Sequence, residues 1–313
     1  MLGVTFYVGI TDDRWFSFLK DRPKEDVNFW RLGQFRNFRI LPEGGLFLFK
    51  LHTPQDFIVG GGYYLSHQEM PLSLAWDAFG EYNGVQNIED LRKRINDYRK
   101  TDEPDPVLGC TILSHAFFWP KHLWIPTDPS WWPSNIVSGK SFGSVTEPGQ
   151  SLWRKIQENL STSEAPTITG LNELPDSPRF GPSFLARARL GQGGFRSLVT
   201  SAYQRRCAFT GERTLPVLQA SHIRPYANEG PHAIRNGILL RADLHQLFDR
   251  GYITFVPDQD TYRIKVSPRI KKEFSNGREY YALDEKPLAI IPSPDLRPAK
   301  EYVEFHSQHV FRG

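Results

Sequence analysis

Four polar residues in the last third of the chain have types and spacing suited to hydrolysis. His222 ends a short apolar run, Asn236 opens a second one, and His245 and Asp249 lie in a helical pattern. Side chains four residues apart on a helix share a face, so His245 and Asp249 can bind the same divalent cation. A histidine on a facing strand can take a proton from water. The pattern therefore predicts the parts of a phosphodiesterase site.

The elements that must position these residues follow from hydrophobic periodicity. The pattern predicts a strand at Val217–Ala220, a polar loop, a strand at Gly237–Leu240 and a helix at Ala242–Asp249 closed by Gly251. Each functional residue alone has a simpler interpretation. A histidine in an apolar strand is often packed in the core, an asparagine before glycine is often a turn, and an aspartate near a helix end is often a solvated cap. The combination in this order favours a site, because independent accidents would have to coincide.

The segments ASHIRP, RNGILL and ADLHQLFDRG, in this order, resemble the HNH motif of the ββα-metal endonucleases. The resemblance covers about the last third of the chain. It implies that His222 is the general base that deprotonates the attacking water. Asn236 would orient the base and pin the loop, and His245 would be a metal ligand. Asp249 falls where some members of the family place a further ligand.

The same resemblance implies a divalent metal cofactor, Mg²⁺, with Mn²⁺, Ni²⁺ and Co²⁺ as alternatives. Many relatives have a metal-binding acidic residue or histidine immediately before the base, where this chain has Ser221. The full ligand set is therefore left open. Many relatives also have paired cysteine ligands for zinc, but here only Cys207 is present, so no structural zinc is expected.

Charge is distributed unevenly along the 313 residues. Residues 1–178 contain 17 Lys and Arg against 22 Asp and Glu, whereas residues 179–313 contain 21 against 13. A basic half that carries a nuclease pattern indicates a phosphate-backbone partner, here double-stranded DNA. Arg224, two residues after the proposed base, together with Arg205 and Arg206, is predicted to contact DNA phosphates.

The N-terminal half is rich in aromatic residues, and all eight tryptophans precede residue 154. Several strands interrupted by helices predict a small mixed α+β barrel. The predicted strands are Thr5–Ile10, Gly45–Leu51, Phe57–Leu65 and Val107–Phe118, and the predicted helices are Pro71–Phe79, Asn87–Tyr98 and Ser151–Leu160. Three consecutive glycines, Gly60 to Gly62, indicate a strand whose backbone bulges or is approached closely.

The segments LFLFKLH, FIVGGGYY and SLAWDAFGEYNG resemble the PUA-like superfamily, which includes EVE, ASCH and SRA modules. This resemblance covers roughly residues 1–150, and some of those modules accept a flipped, modified base in an aromatic pocket. A flipped base needs stacking partners and polar groups for its edge. Core packing is the alternative for every candidate. The candidates of suitable type are Asn28, Phe29, Trp30, Tyr64, Trp76 and Asn83.

Two domains are expected at this length. The expected fold class is α+β, with a PUA-like mixed β-barrel with helices at residues 1–160 and a ββα-metal HNH nuclease domain at residues 184–313. Residues 161–183 contain four prolines and few large apolar residues, which is typical of a linker.

A helix is predicted to follow a glycine-rich break at Gly191–Gly194. His306 and His309 have no nearby third ligand and are interpreted as packing or surface residues.

We expect a modification-dependent DNA endonuclease of the restriction type, which recognises 5-hydroxymethylcytosine or 5-methylcytosine and attacks invading phage DNA. One alternative is an HNH nuclease whose N-terminal half binds RNA, a DNA structure or a partner protein. Another is a modified-DNA reader without catalysis. A homodimer would supply the two sites needed to cut both strands. With two scattered cysteines, no signal peptide and no membrane-spanning run, the sequence predicts a cytoplasmic protein.

Overall fold

The computed structural model describes residues 4–22, 26–31, 38, 40–162, 191–259 and 261–313. The chain divides into two compact units, residues 1–194 and 195–313. Most of the predicted linker, residues 163–183, lies outside the described residues, so the predicted domain limits stay predictions. The architecture is mixed α+β, as expected from the sequence. No helix in the described ranges is long and apolar enough to cross a membrane.

The first unit is built on a mixed sheet of seven strands, which are β1 Thr5–Thr11, β2 Val27–Arg31, β3 Leu46–Leu51, β4 Phe57–Pro71, β5 Val107–Phe118, β6 Ile125–Pro126 and β7 Gly139–Gly143. Their order in the sheet is β2-β5-β4-β3-β1-β7, with β6 paired to β4. Strands β1 and β3 are parallel, and the other pairs are antiparallel. Among the described strands, the edges β2 and β7 are not hydrogen-bonded to each other, so a closed barrel stays a prediction.

Four helices accompany this sheet. They are α1 Asp13–Leu19, α2 Leu72–Phe79, α3 Ile88–Arg99 and α4 Gly149–Thr162. The side chain of Asp12 accepts hydrogen bonds from Arg14 N and Trp15 N, which caps the first helix. The predicted strands and helices of this half are confirmed to within a few residues, except that β4 continues to Pro71, well beyond the predicted end at Leu65. The aromatic residues mainly form its core, where Trp15 packs edge-on against Phe29 and Phe49.

The three glycines of β4 lie where backbones approach closely, as the sequence predicts. A Cβ on Gly60 would lie 2.2 Å from Phe117 O, and one on Gly61 would lie 2.6 Å from Phe47 O. The register between β4 and β5 shifts at this point. Glycine is therefore required for the contact between the neighbouring strands.

The predicted break at Gly191–Gly194 is wrong in one respect, because helix α5, Gln192–Ala202, already includes Gly193 and Gly194. The carboxylate of Asp26 accepts hydrogen bonds from Gly191 N at 2.8 Å and from Gly194 N at 3.2 Å. These bonds satisfy amide groups that a helix start leaves without partners. A Cβ on Gly194 would lie 2.2 Å from the same carboxylate, so the small residue permits the cap.

The second unit consists of two hairpins and surrounding helices. The first hairpin is followed directly by a helix, which is the strand, loop, strand, helix order that the sequence predicts. The elements are β8 Leu218–His222, β9 Gly237–Arg241, α6 Ala242–Asp249, β10 Ile253–Asp258, β11 Thr261–Val266, α7 Arg269–Phe274, α8 Arg278–Tyr281 and α9 Lys300–Phe305, followed by a π-helical turn at His306–Val310. Its core includes Val199, Leu239, Leu244 and Phe248, all fully buried.

Candidate active site

The hairpin and α6 carry His222, Asn236, His245 and Asp249 on adjoining elements. In the β8–β9 register His222 lies opposite Gly237, directly after Asn236. Helix α6 packs against β8 through two polar contacts: the Ser221 hydroxyl donates to Asp249 Oδ1 at 3.1 Å, and His245 Nδ1 lies 2.7 Å from Gln219 Oε1. The fold of the motif therefore holds the two helix residues beside the strand that ends at His222.

His222 has a half-buried ring that is fixed on two sides. One face stacks on Phe195 of α5, with ring centroids 4.0 Å apart and planes inclined by 7°. Its Nε2 lies 2.9 Å from Nδ1 of His232, which belongs to the loop between the strands. Burial and, to a smaller extent, the charge of His232 lower the pKa of His222 to about 4, against the opposing effect of the Asp249 charge. The imidazole is therefore neutral near pH 7 and has a lone pair available for a proton.

Asn236 is completely buried and clamps the loop between the strands. Its Oδ1 accepts a hydrogen bond from Arg224 N at 2.8 Å. Its Nδ2 donates to Arg224 O at 3.1 Å and to Pro231 O at 2.9 Å. The backbone carbonyl of Asn236 accepts from Ile223 N at 2.8 Å, next to His222. The side chain thus ties both ends of the loop, whereas the ring of His222 is held by His232.

His245 and Asp249 form a contact pair on one side of α6, with Nε2 and Oδ2 3.1 Å apart. Because a carbonyl oxygen of Gln219 can only accept, Nδ1 of His245 donates to it, and a neutral His245 then has its lone pair on Nε2. When Nε2 also carries a proton, it donates a hydrogen bond to Asp249 Oδ2, and without that proton its lone pair faces the carboxylate. Burial raises the pKa of Asp249, but hydrogen bonds from His245 and Ser221 outweigh burial and hold that pKa below its usual range.

This pair suits a divalent cation by its chemistry. A lone pair on nitrogen and a carboxylate oxygen at 3.1 Å attract each other only with a positive charge between them, either a proton or a metal ion. In the part of the chain that the structure describes, no group of three or more His, Cys, Asp or Glu side chains could hold a metal. The pair would supply two ligands, and water and a substrate phosphate would supply the others.

The three arginines predicted to contact phosphates lie in different surroundings. Arg224 Nε donates to Asn228 O at 2.7 Å, and the guanidinium lies 4.8 Å from the ring centre of Phe305. It therefore supports the loop and the C-terminal helix. Arg205 and Arg206 are half-buried in the turn after α5, where Arg205 has a φ of +58°. Their roles at DNA stay predictions.

The six candidates for a base pocket divide into two groups by burial in the first unit. Asn28 and Asn83 are fully buried and joined by a hydrogen bond of 2.8 Å between Nδ2 and Oδ1. Phe29 and Tyr64 are also buried, and the Tyr64 hydroxyl donates to Phe38 O at 3.2 Å. The two remaining candidates, Trp30 and Trp76, are partly exposed. Their assignment to a pocket stays a prediction.

Sequence reasoning did not single out His232, Phe195 or Gln219. His232 stands ten residues after His222 in a polar loop, in the segment GPHAIRNG, and a histidine between two motif residues is a signal that could have been used. Phe195 and Gln219 gave no such signal, because an aromatic residue in a helix and a glutamine in a strand are ordinary. Their contacts with His222 and His245 depend on tertiary packing.

Comparison with known proteins supports the motif. Residues 207–256 match a family model described as HNH endonuclease, so the chain contains an HNH endonuclease domain. Curated protein sequences gave no match.

Two solved structures are similar to the chain at low identity. One is the modification-dependent TagI restriction endonuclease, 13% identical, with 95% of this chain and 79% of that chain covered and a TM-score of 0.26. Another is the Type IV phosphorothioation-dependent restriction endonuclease ScoMcrA, 12% identical, with 77% of this chain and 48% of that chain covered and a TM-score of 0.18. With TM-scores this low, neither likeness carries an argument about this chain.

Proposed function

We propose that this protein is a metal-dependent endonuclease that hydrolyses double-stranded DNA at its HNH domain. The observation that carries the proposal is that the His245–Asp249 pair on α6 is bonded to Gln219 and Ser221 of the strand that ends at His222, within the residues that match the family model. The charge of Asp249 and that of His245 reach the ring of His222 strongly enough to influence its pKa. This influence supports the assignment of the three side chains to one site.

Each residue has one task in this proposal. His222, neutral near pH 7, accepts a proton from the attacking water. A DNA phosphate beside it would raise its pKa and improve it as a base. His245 and Asp249 would hold a divalent cation, Mg²⁺ or Mn²⁺, and that cation would neutralise charge on the phosphate and the leaving 3′ oxygen. Asn236 keeps the loop beside the base in place.

The N-terminal half is proposed to recognise modified cytosine, 5-hydroxymethylcytosine or 5-methylcytosine. This part rests on the resemblance of residues 1–150 to PUA-like modules and on the partly exposed rings of Trp30 and Trp76. A protein with these two activities would restrict invading DNA that carries the modification. Two copies acting together would cut both strands.

The test compares three matched plasmid DNAs that differ only in cytosine chemistry: unmodified, 5-methylcytosine and 5-hydroxymethylcytosine. With Mg²⁺ or Mn²⁺ the full-length protein should cleave at least one modified DNA faster than the unmodified one. The variant His222→Ala should lose about 10²- to 10⁴-fold in rate, which is the usual contribution of a general base. His309→Ala, an exposed histidine of the same unit, is the matched control and should cleave normally.

Each other outcome has a distinct meaning. Equal cleavage of all three DNAs would contradict the modified-base part and favour a different role for the N-terminal half. A fully active His222→Ala variant would contradict the assigned base. Binding of modified DNA without cleavage in any metal would indicate a reader instead of an enzyme. DNA binding and thermal unfolding of each variant show whether a loss of rate reflects misfolding.

A further inference from the structure

Four aromatic rings contact one another in a row that includes His222, the proposed general base. The buried ring of Phe195 stacks on His222, His222 Nε2 contacts His232 Nδ1 at 2.9 Å, and His232 lies against Tyr226 with ring centroids 4.8 Å apart. Tyr226, at the outer end, is 62% exposed. The row therefore passes from the core to the surface, with the proposed base second from the inside.

This arrangement limits how the His222 ring can carry its proton. Contact with Phe195 fixes the plane of the ring, and the bond to His232 fixes its direction within that plane. A neutral imidazole has one N–H and one lone pair, so one of the two rings must donate in the bond between them. If His222 donates from Nε2, its lone pair is on Nδ1. If it accepts at Nε2, its Nδ1 carries the proton and cannot act as a base.

The position of His232 is itself constrained. Pro231, the preceding residue, is held through its carbonyl by Asn236 Nδ2 at 2.9 Å. Asn236 holds the other end of the loop at Arg224. The same buried amide thus fixes both the backbone beside His222 and the backbone that carries its partner ring. The pairing of the two histidines is consequently a built feature of the loop.

We propose that His232 is a positioning residue for His222. Nδ1 of His232 accepts a hydrogen bond from Nε2–H of His222 and thereby keeps the lone pair of His222 on its Nδ1. This inference rests on the proposed function. In the hydrolytic step, Nδ1 takes a proton from water, and the water oxygen uses the electron pair left behind to bond to phosphorus. The bond from phosphorus to the leaving 3′ oxygen breaks, and that oxygen takes a proton from solvent. His222 becomes an imidazolium whose Nε2–H still donates to His232.

The energetic reason is that a hydrogen bond to a charged donor is stronger than one to a neutral donor. The bond from Nε2 to His232 Nδ1 therefore strengthens as His222 gains its positive charge during the reaction. An orienting partner that selects one tautomer of a catalytic histidine acts by the same principle in other hydrolases. The other groups whose charge reaches His222 are His245 and Asp249 on α6, and they are unchanged in the variants below.

Two substitutions separate hydrogen bonding from packing. His232→Phe keeps an aromatic ring against Tyr226 but has no acceptor, and it should lower the single-turnover cleavage rate on the order of 10²-fold without weakening DNA binding. His232→Asn places an amide oxygen near the position of Nδ1, so it should retain a rate within about tenfold of the unaltered protein. Both rates are measured with the full-length protein, Mn²⁺ and the plasmid DNA that it cleaves fastest.

Nitrogen-15 NMR of the histidine rings provides a second readout that packing alone would not move. His222 should be in the Nε2–H form in the unaltered protein and should populate the Nδ1–H form in His232→Phe. A fully active His232→Phe variant, or an unaltered protein with His222 in the Nδ1–H form, would overturn the inference even if His222→Ala is inactive. If the unaltered protein cleaves no DNA, the proposed function fails, and the NMR measurement still decides the pairing.

Discussion

His306 provides a prediction about stability that follows from its burial. Its ring is 1% exposed and stacks on Phe248 of α6 with centroids 3.7 Å apart. Its Nδ1 lies 2.8 Å from the Thr254 hydroxyl, and its Nε2 lies 3.1 Å from Phe248 O. Burial lowers the pKa of His306 to about 4, while the Phe248 carbonyl and the charge of Asp249 act in the opposite direction. The ring is therefore neutral inside the folded protein.

The sign and size of the pH effect follow from that pKa. Below pH 6.5 the unfolded chain takes up a proton at this histidine and the folded protein does not, so folding stability falls as the pH is lowered. One pKa unit corresponds to about 1.4 kcal/mol, so His306 alone should remove about 3 kcal/mol once the pH is below 4. Between pH 7 and pH 5 its share is about 2 kcal/mol.

The assay compares the full-length protein with His306→Gln, which cannot titrate in this range. Tryptophan fluorescence is unsuitable, because all eight tryptophans precede residue 154 and report on the other unit. We would follow hydrogen exchange by mass spectrometry in urea, on fragments that cover β9 to β10. From pH 7 to pH 5 the variant should lose about 2 kcal/mol less than the unaltered protein. Equal losses would refute the claim that His306 is buried and neutral.

Two further predictions concern the loop and the cation ligands. Asn236→Ala removes three hydrogen bonds to the loop backbone, so the free energy of unfolding measured by the same exchange assay should fall by about 2–4 kcal/mol. The control is Asn228→Ala, which removes an exposed side chain of that loop and should change the free energy of unfolding little. An equal effect of both substitutions would contradict the role of Asn236 in holding the loop. Asp249→Asn should raise the Mg²⁺ or Mn²⁺ concentration needed for half-maximal cleavage by about 10-fold or more. Asp243→Asn on the same helix is the control and should leave that concentration unchanged, because Asp243 pairs with Arg241 at 2.7 Å. An unchanged metal requirement in Asp249→Asn would remove that residue from the ligand set.

Much of the second unit was predictable from the sequence because its signals are local. The helix Ala242–Asp249 has the predicted bounds, and the two strands before it begin and end within two residues of the prediction. Alternating burial and helical periodicity are properties of neighbouring residues, so they can be read without knowledge of the fold. The HNH motif came from the resemblance of the segments ASHIRP, RNGILL and ADLHQLFDRG, and the match of residues 207–256 to the family model agrees with it.

The first unit shows where local signals are insufficient. Its strands and helices are largely confirmed, but Asn28 and Asn83 are buried against each other although 55 residues separate them in the chain. The sequence shows that both residues are polar, but it does not show that their side chains form a hydrogen bond with each other inside a core. The carboxylate of Asp26 similarly caps a helix start 165 residues away, so glycines that indicate a break lie instead at the beginning of a helix.

By itself, then, the sequence determined most element types and the difference in charge between the halves, because periodicity and composition need no third dimension, and it carried the resemblance to the HNH motif. The tertiary structure decided which side chains meet. The pairing of His222 with His232 depends on how a loop folds back, and the contact of His306 with Phe248 O joins residues 58 apart. Such contacts form only when distant segments pack, and packing determines which ring is buried, which nitrogen is bonded and hence which pKa is moved.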